Sequence, residues 1–266
     1  MNTVAIIQFP GSNCEYETQK AAEFYGLAST IVRWNEPLDK VRSFGAYILP
    51  GGFSYQDRVR SGAIAAKLPI LTAIQEAAEA GKPVLGICNG CQILAESGLV
   101  PNLGGVHHTE MALTHNQKSG QPHGFVCDWV QVRPQNSRNS VFTRYMEDDT
   151  VFPVPVNHGE GRFVISDAVR EALPGLTALF YCSSSGQISA DFPETPNGAQ
   201  EGLAGICNSA GNVMAMMPHP ERAAFLKQIP SWIPGPWRDR KAGIVSDTKQ
   251  EGPWEPLFVS LRDALS

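Results

Sequence analysis

Short apolar runs recur along this chain, bounded by glycine, proline and asparagine, and between them apolar residues fall at helical spacing. Residues 3–9 (TVAIIQF) are almost wholly apolar, which predicts a strand buried on both faces. Pro10-Gly11-Ser12-Asn13 breaks that run. Residues 15–25 predict a helix, with Ala21, Ala22, Phe24 and Tyr25 among its apolar positions and Gly26 as its stop. Residues 29–34 and Ala46–Leu49 predict two further strands. Residues 69–80 put Ile70, Ala73, Ile74 and Ala77 on one helical face. Residues 83–87 (PVLGI) predict another buried strand, and a helix begins at once over 89–94. This alternation predicts a parallel sheet covered on both faces by helices.

The second half is punctuated more heavily. Residues 104–125 are polar and read as an irregular, solvated loop. Residues 129–133 predict a strand, and residues 152–157, where proline alternates with apolar residues, predict an extended edge or crossover. His158-Gly159-Glu160-Gly161 is a glycine-bearing turn. Residues 179–182, Leu203–Cys207 and 213–217 are short strand candidates. No internal repeat and no low-complexity linker divides the chain, so it reads as one domain over 1–266. Within it, residues 227–256 form a proline- and tryptophan-rich excursion before a final helix over 257–265. Proline at that density predicts ordered irregular chain, with Trp232, Trp237 and Trp254 at least partly packed.

Candidate chemistry centres on Cys88, in the frame Gly86-Ile87-Cys88-Asn89-Gly90. A strand-to-helix turn flanked by glycines has the form of a nucleophile elbow with cysteine in place of serine. The helix start behind it offers free N–H groups and partial positive charge, which suit a thiolate. Far downstream, Met217-Pro218-His219-Pro220-Glu221 supplies a histidine and a glutamate two residues apart. Each proline biases the residue before it towards extended backbone, which would set His219 and Glu221 on one side as a base and its orienter. The loop over 50–62 follows the third strand, and its Gly51-Gly52 pair allows close backbone approach to a ligand beyond the sheet edge. Other readings stay open. Cys88 with Cys91 is a C-x-x-C that could serve as a redox pair. His107, His108, His115 and His123 invite a metal reading but match no compact zinc spacing.

Composition narrows the classes. With 42% hydrophobic and 18% charged residues the chain is an ordinary globular one, and a net charge of -5 argues against nucleic acid. No apolar run is long enough to span a bilayer, and the first nine residues lack a basic region and a cleavage site. Six scattered cysteines suggest free thiols in a reducing, cytoplasmic setting. No Gly-rich Gly-Lys-Ser/Thr loop for ATP is present.

The segments PGSNC (10–14), LPGGFSY (49–55), SGAIA (61–65), GICNGCQIL (86–94), HGEGR (158–162) and MMPHPER (216–222) together resemble the class I, triad-type glutamine amidotransferases. Six motifs in order, over about residues 3–226, are closest to the branch that supplies ammonia in the fourth step of purine biosynthesis. The resemblance implies a flavodoxin-like three-layer α/β/α sandwich around a mostly parallel sheet. It implies Cys88 as nucleophile, His219 as general acid/base and Glu221 as its orienter. It implies an oxyanion hole from the backbone N–H groups of Gly52 and Asn89, and substrate contacts from Gln92, Asn157, His158, Gly159 and Glu160. The chain itself would carry no metal or cofactor. ATP and magnesium would sit on a large synthetase subunit, with a small bridging subunit beside it, that converts formylglycinamide ribonucleotide to formylglycinamidine ribonucleotide. Gln56 stands where the family pattern has glycine, Asp128 where a basic residue is common, and the excursion runs past the usual end. An amidotransferase of another pathway, or a thiol sensor on the same fold, are the rival readings; a sensor has no need of His219 and Glu221 together.

Overall fold

The computed structural model describes residues 2–105, 107–243 and 250–266. The first half runs β1 (Val4–Gln8), α1 (Glu15–Phe24), β2 (Ser29–Arg33), α2 (Leu38–Arg42), β3 (Ala46–Leu49), α3 (Pro69–Glu79), β4 (Val84–Ile87) and α4 (Asn89–Glu96). The second half runs β5 (Met111–Thr114), β6 (Gln117–Lys118), β7 (Gln121–Pro122), β8 (Val126–Gln135), β9 (Phe152–His158), β10 (Arg162–Ile165), α5 (Asp167–Ala172), β11 (Ala178–Cys182), β12 (Leu203–Cys207), β13 (Val213–Met216), α6 (Pro236–Ala242) and α7 (Glu255–Asp263).

Nine strands make one sheet, ordered β2-β1-β3-β4-β13-β12-β11-β8-β9. From β2 to β13 every neighbour is parallel. From β13 outwards every neighbour is antiparallel. The parallel part is the α/β core expected from the alternating pattern, with β3, β4 and β13 buried throughout and β1 buried up to Ile7. Helices α2 and α3 pack on each other. Helix α1 meets the C-terminal α7 through Tyr25 and Phe258, whose rings stack at 5.3 Å. Every residue of α4 is buried, so the helix behind Cys88 is an inner element rather than a surface one.

Some expectations are corrected. Residues 104–125 are not all irregular: β5 pairs antiparallel with β10, and β6 with β7. The β5 partner lies some fifty residues downstream, so no local signal announces it. Helices α2 and α5 and strand β10 also lie where the pattern predicts no element. The excursion contains a helix, α6, which starts with Pro236 at its first position, the one helical site proline favours. Trp254 is fully buried and Trp237 packs against the core, whereas Trp232 is 63% exposed. Residues 244–249 of the excursion lie outside the described residues.

Candidate active site

Strand order builds the site. Strands β3, β4 and β13 are parallel neighbours, so their carboxyl ends share one edge of the sheet. Residue 88 follows β4, the Gly51-Gly52 turn follows β3, and His219 lies three residues past β13. Ile87 is in register with Met216, and Cys88 N–H donates to the Met216 carbonyl at 2.8 Å. Thus 131 residues of sequence separation collapse to adjacent strand ends. Cys88 has φ 52° and ψ -105°, a left-handed conformation that a cysteine adopts only at a cost, as the elbow requires. The elbow also demands its glycines: a Cβ at Gly90 would stand 1.9 Å from the Leu49 carbonyl oxygen, and one at Gly86 2.5 Å from that of Gly90.

His219 and Glu221 meet as expected, but on different backbone. Residues 220–222 form a single 3-10 turn rather than an extended segment. The pairing survives because the turn brings His219 Nδ1 and Glu221 Oε1 to 2.6 Å. Both side chains are buried, and the imidazole Nε2 has no hydrogen-bond partner. Burial alone would depress the His219 pKa; the Glu221 carboxylate, then Cys88 and Cys14, outweigh it and hold it well above the ordinary histidine value. His158 behaves oppositely. Burial, then the nearby His219, push it down to about 3, so it stays neutral. Cys91 is fully buried behind the elbow and all six cysteines are free, which leaves the C-x-x-C as a thiol pair with no disulfide.

A cavity of about 250 Å³ opens over Cys88, lined by Gly52, Phe53, Asp57, Ser61, Gln92 and the 157–160 turn, among others. That is below the usual drug-sized range and suits a small amino acid. Of the ten residues expected at the site, Cys88, Gly52, Gln92, Asn157, His158, Gly159 and Glu160 line this cavity, and Asn89, His219 and Glu221 are buried outside its lining. Gly52, at φ 151°, bridges Ser12, and that pairing employs Phe53 N–H and Asn13 N–H, leaving Gly52 N–H unspent by it. Asn89 opens α4, where the first N–H groups have no helical acceptor. Cys88 Sγ lies 3.6 Å from the Asn157 carbonyl. Gln92 is already engaged: it accepts from Asn89 Nδ2 at 2.9 Å and donates to the Glu160 carbonyl at 2.6 Å. It ties the elbow helix to the 158–161 turn. Gln56, at the departure from the family pattern, sits at φ 59° beside Tyr55 at φ 54°. Among the described residues the four loop histidines form no metal-ligand group.

Two cavity residues, Asp57 and Ser61, belong to the 50–62 loop that the sequence places at the ligand edge but are not among the ten site residues it names. Asp57 lines the cavity with Oδ1 unpartnered; burial, and then the charge of Glu160, raise its pKa. Glu160 Oε2 accepts from Ser61 N–H at 3.0 Å. A signal exists in the loop sequence FSYQD, where an acidic residue follows the glycine pair in a loop already placed at the ligand edge.

A cysteine at a strand-to-helix elbow, a buried histidine–glutamate pair past the neighbouring strand and a cavity over the thiol make up this site, on an α/β sandwich. The match to known proteins is more particular. Residues 1–263 match the CobB/CobQ-like glutamine amidotransferase domain, and the chain belongs to that family. It is 43% identical over 235 residues to the phosphoribosylformylglycinamidine synthase subunit PurQ of Methanothrix thermoacetophila, covering 85% of this chain and 88% of that protein. It is 39% identical over 230 residues to the PurQ subunit of Aquifex aeolicus, covering 83% and 90%. Among solved structures, the PurLQS structure from Thermotoga maritima matches with a TM-score of 0.66 and 36% identity, covering 84% of this chain and 90% of that one. A putative GMP synthase subunit from Thermoplasma acidophilum, at 14% identity and a TM-score of 0.53, shares the fold.

Proposed function

We infer that this chain is the glutaminase subunit of a phosphoribosylformylglycinamidine synthase: it hydrolyses glutamine to glutamate and ammonia and passes the ammonia to an ATP-dependent synthetase. The observation that carries the reading is the meeting of Cys88 with the buried His219–Glu221 pair at one sheet edge, in a chain so similar to PurQ subunits.

Cys88 attacks the side-chain amide carbon of glutamine. The carbonyl oxygen becomes an oxyanion held by the N–H groups of Gly52 and Asn89, a contribution of about 2.7–4 kcal/mol for one such donor. His219, held protonated by Glu221, gives its proton to the departing nitrogen, and ammonia leaves. Water, deprotonated by His219, then cleaves the γ-glutamyl thioester. Glutamine carries an α-ammonium group, and the cavity presents the Asp57 and Glu160 carboxylates, one with an unpartnered oxygen. Those two groups hold the ammonium; the backbone of residues 157–159 receives the rest of the amino acid. The ATP- and magnesium-dependent step, formation of formylglycinamidine ribonucleotide, belongs to a large synthetase subunit, with a small bridging subunit beside it. The likeness to the PurLQS assembly supports that division.

The test is Cys88→Ala in the assembled synthase. Glutamine-dependent product formation is abolished, while formation from added ammonia persists. Retained glutamine-dependent activity would sink the assignment.

A further inference from the structure

The PGSNC turn sets a second thiol against the triad, and no step of the glutaminase chemistry passes through its sulfur. Cys14 precedes α1 and is 1% exposed. Arg222 donates to its Sγ at 3.2 Å, and the thiol lies 3.1 Å from Asn13 Oδ1. One ligand atom each from Cys14, His219 and Glu221 lie within 4.8 Å of one another, and all three residues are buried. The His219 Nδ1 bond to Glu221 Oε1 is the contact that an ion between them would replace, and the second carboxylate oxygen, Oε2, has no hydrogen-bond partner. Gly51 borders the same space: a Cβ there would stand 2.7 Å from His219 Cε1 and 3.0 Å from Cys14 Sγ.

One thiolate, one imidazole and one carboxylate make a three-protein-ligand set suited to zinc with its fourth position open. Donors at about 2.0–2.3 Å from a tetrahedral ion stand about 3.2–3.8 Å apart, so small side-chain shifts would close this set on a cation. We propose that Cys14, His219 and Glu221 form an inhibitory site for a thiophilic divalent cation, best fitted by zinc, whose binding takes the catalytic imidazole out of the reaction.

Binding forms bonds from the ion to sulfur, nitrogen and oxygen. The Cys14 proton, and that of a protonated His219, leave to solvent, and no electrons move. Burial pushes the Cys14 thiol up to about 11, so the proton stays until a cation displaces it. Arg222, its charge matched by Glu17 at 2.7 Å, steadies the resulting thiolate. Magnesium and calcium prefer all-oxygen shells, so the set discriminates against them.

Two measurements test the site. Zinc chloride is titrated against glutaminase rate, with reversal by a chelator, in the native chain and in Cys14→Ala. The half-inhibiting concentration rises at least tenfold in the variant; equal sensitivity would assign inhibition to Cys88 and His219 alone and overturn the proposal. That arm rests on the glutaminase reading; the second does not. Cobalt(II) titrated into Cys88→Ala produces a near-ultraviolet thiolate-to-cobalt charge-transfer band, which disappears in the Cys88→Ala, Cys14→Ala double variant. No band in the first protein, or an equal band in both, overturns the site; the comparison cancels any contribution from the exposed Cys127.

Discussion

Single side chains nearby set the state of His219. Glu221 keeps His219 protonated against a burial penalty that would otherwise strip the proton. Glu221→Gln preserves shape and removes the charge, so the His219 pKa falls. The acid form is then lost at lower pH, and the alkaline limb of the kcat profile moves down in pH. An unmoved limb would mean that His219 does not titrate there. His219→Ala removes proton transfer itself and costs more activity than any change at Glu221. Asp57→Asn keeps size and, on the proposed binding of the substrate ammonium, removes half of the charge offered to it. A hydrogen bond to a charged group contributes about 1.5–3 kcal/mol, so KM for glutamine rises about ten- to a hundredfold with kcat little changed. A fall in kcat at constant KM would place Asp57 in the chemistry instead. The elbow at Cys88 and the His219–Glu221 pair are legible in the sequence because their residue types and their flanking glycines and prolines are local. Asp57 is not, because only the folded loop turns its carboxylate into the cavity beside Glu160.

Elements position these residues through close backbone approach. Helix α4 lies so near the end of β3 that only glycine fits at position 90. Gly90→Ala therefore either fails to seat the helix or displaces the Gly51-Gly52 turn. Overpacking of this kind costs about 1–3 kcal/mol, sometimes more. Urea unfolding shows a lower midpoint at unchanged slope, and glutaminase activity falls with the displaced Gly51-Gly52 turn. A midpoint within error of the native value would show that β3 and α4 yield freely. Strands with continuous apolar runs, such as β1, β4 and β13, are legible because burial on both faces leaves one pattern. Strands β5 and β10 are not, since each is four residues long and is stabilised by the other across nearly fifty residues. The prolines around residues 219–221 predict extended backbone and so reach the right pairing through the wrong geometry, because a 3-10 turn and an extended tripeptide both bring residues two apart within reach here.

On the scale of the whole molecule, the excursion that follows Leu226 must return to place α7. Its departure and return are pinned together: Leu226 N–H donates to the Gln250 carbonyl at 2.9 Å, and Phe225 bridges Glu251. Between them α6 carries no buried residue, although Lys241 reaches back to the Lys227 carbonyl at 2.9 Å. Beyond them the chain is anchored at many points. Trp254, Leu257, Phe258 and Leu261 are fully buried, Trp254 Nε1 donates to the Pro153 carbonyl at 3.0 Å, and Arg144 donates to the Ser260 carbonyl at 2.7 Å. Full burial of one such side chain stabilises by about 1.5–3 kcal/mol, so the returning segment is held by its own contacts and not by its covalent tie alone. Trypsin should therefore cut first at Arg238, Arg240 or Lys241. The nicked protein runs as two pieces on a denaturing gel but elutes as one on native gel filtration, with its glutaminase activity retained. Separation of the pieces without denaturant would show that continuity of the chain, rather than packing around Trp254 and Phe258, holds α7 against α1.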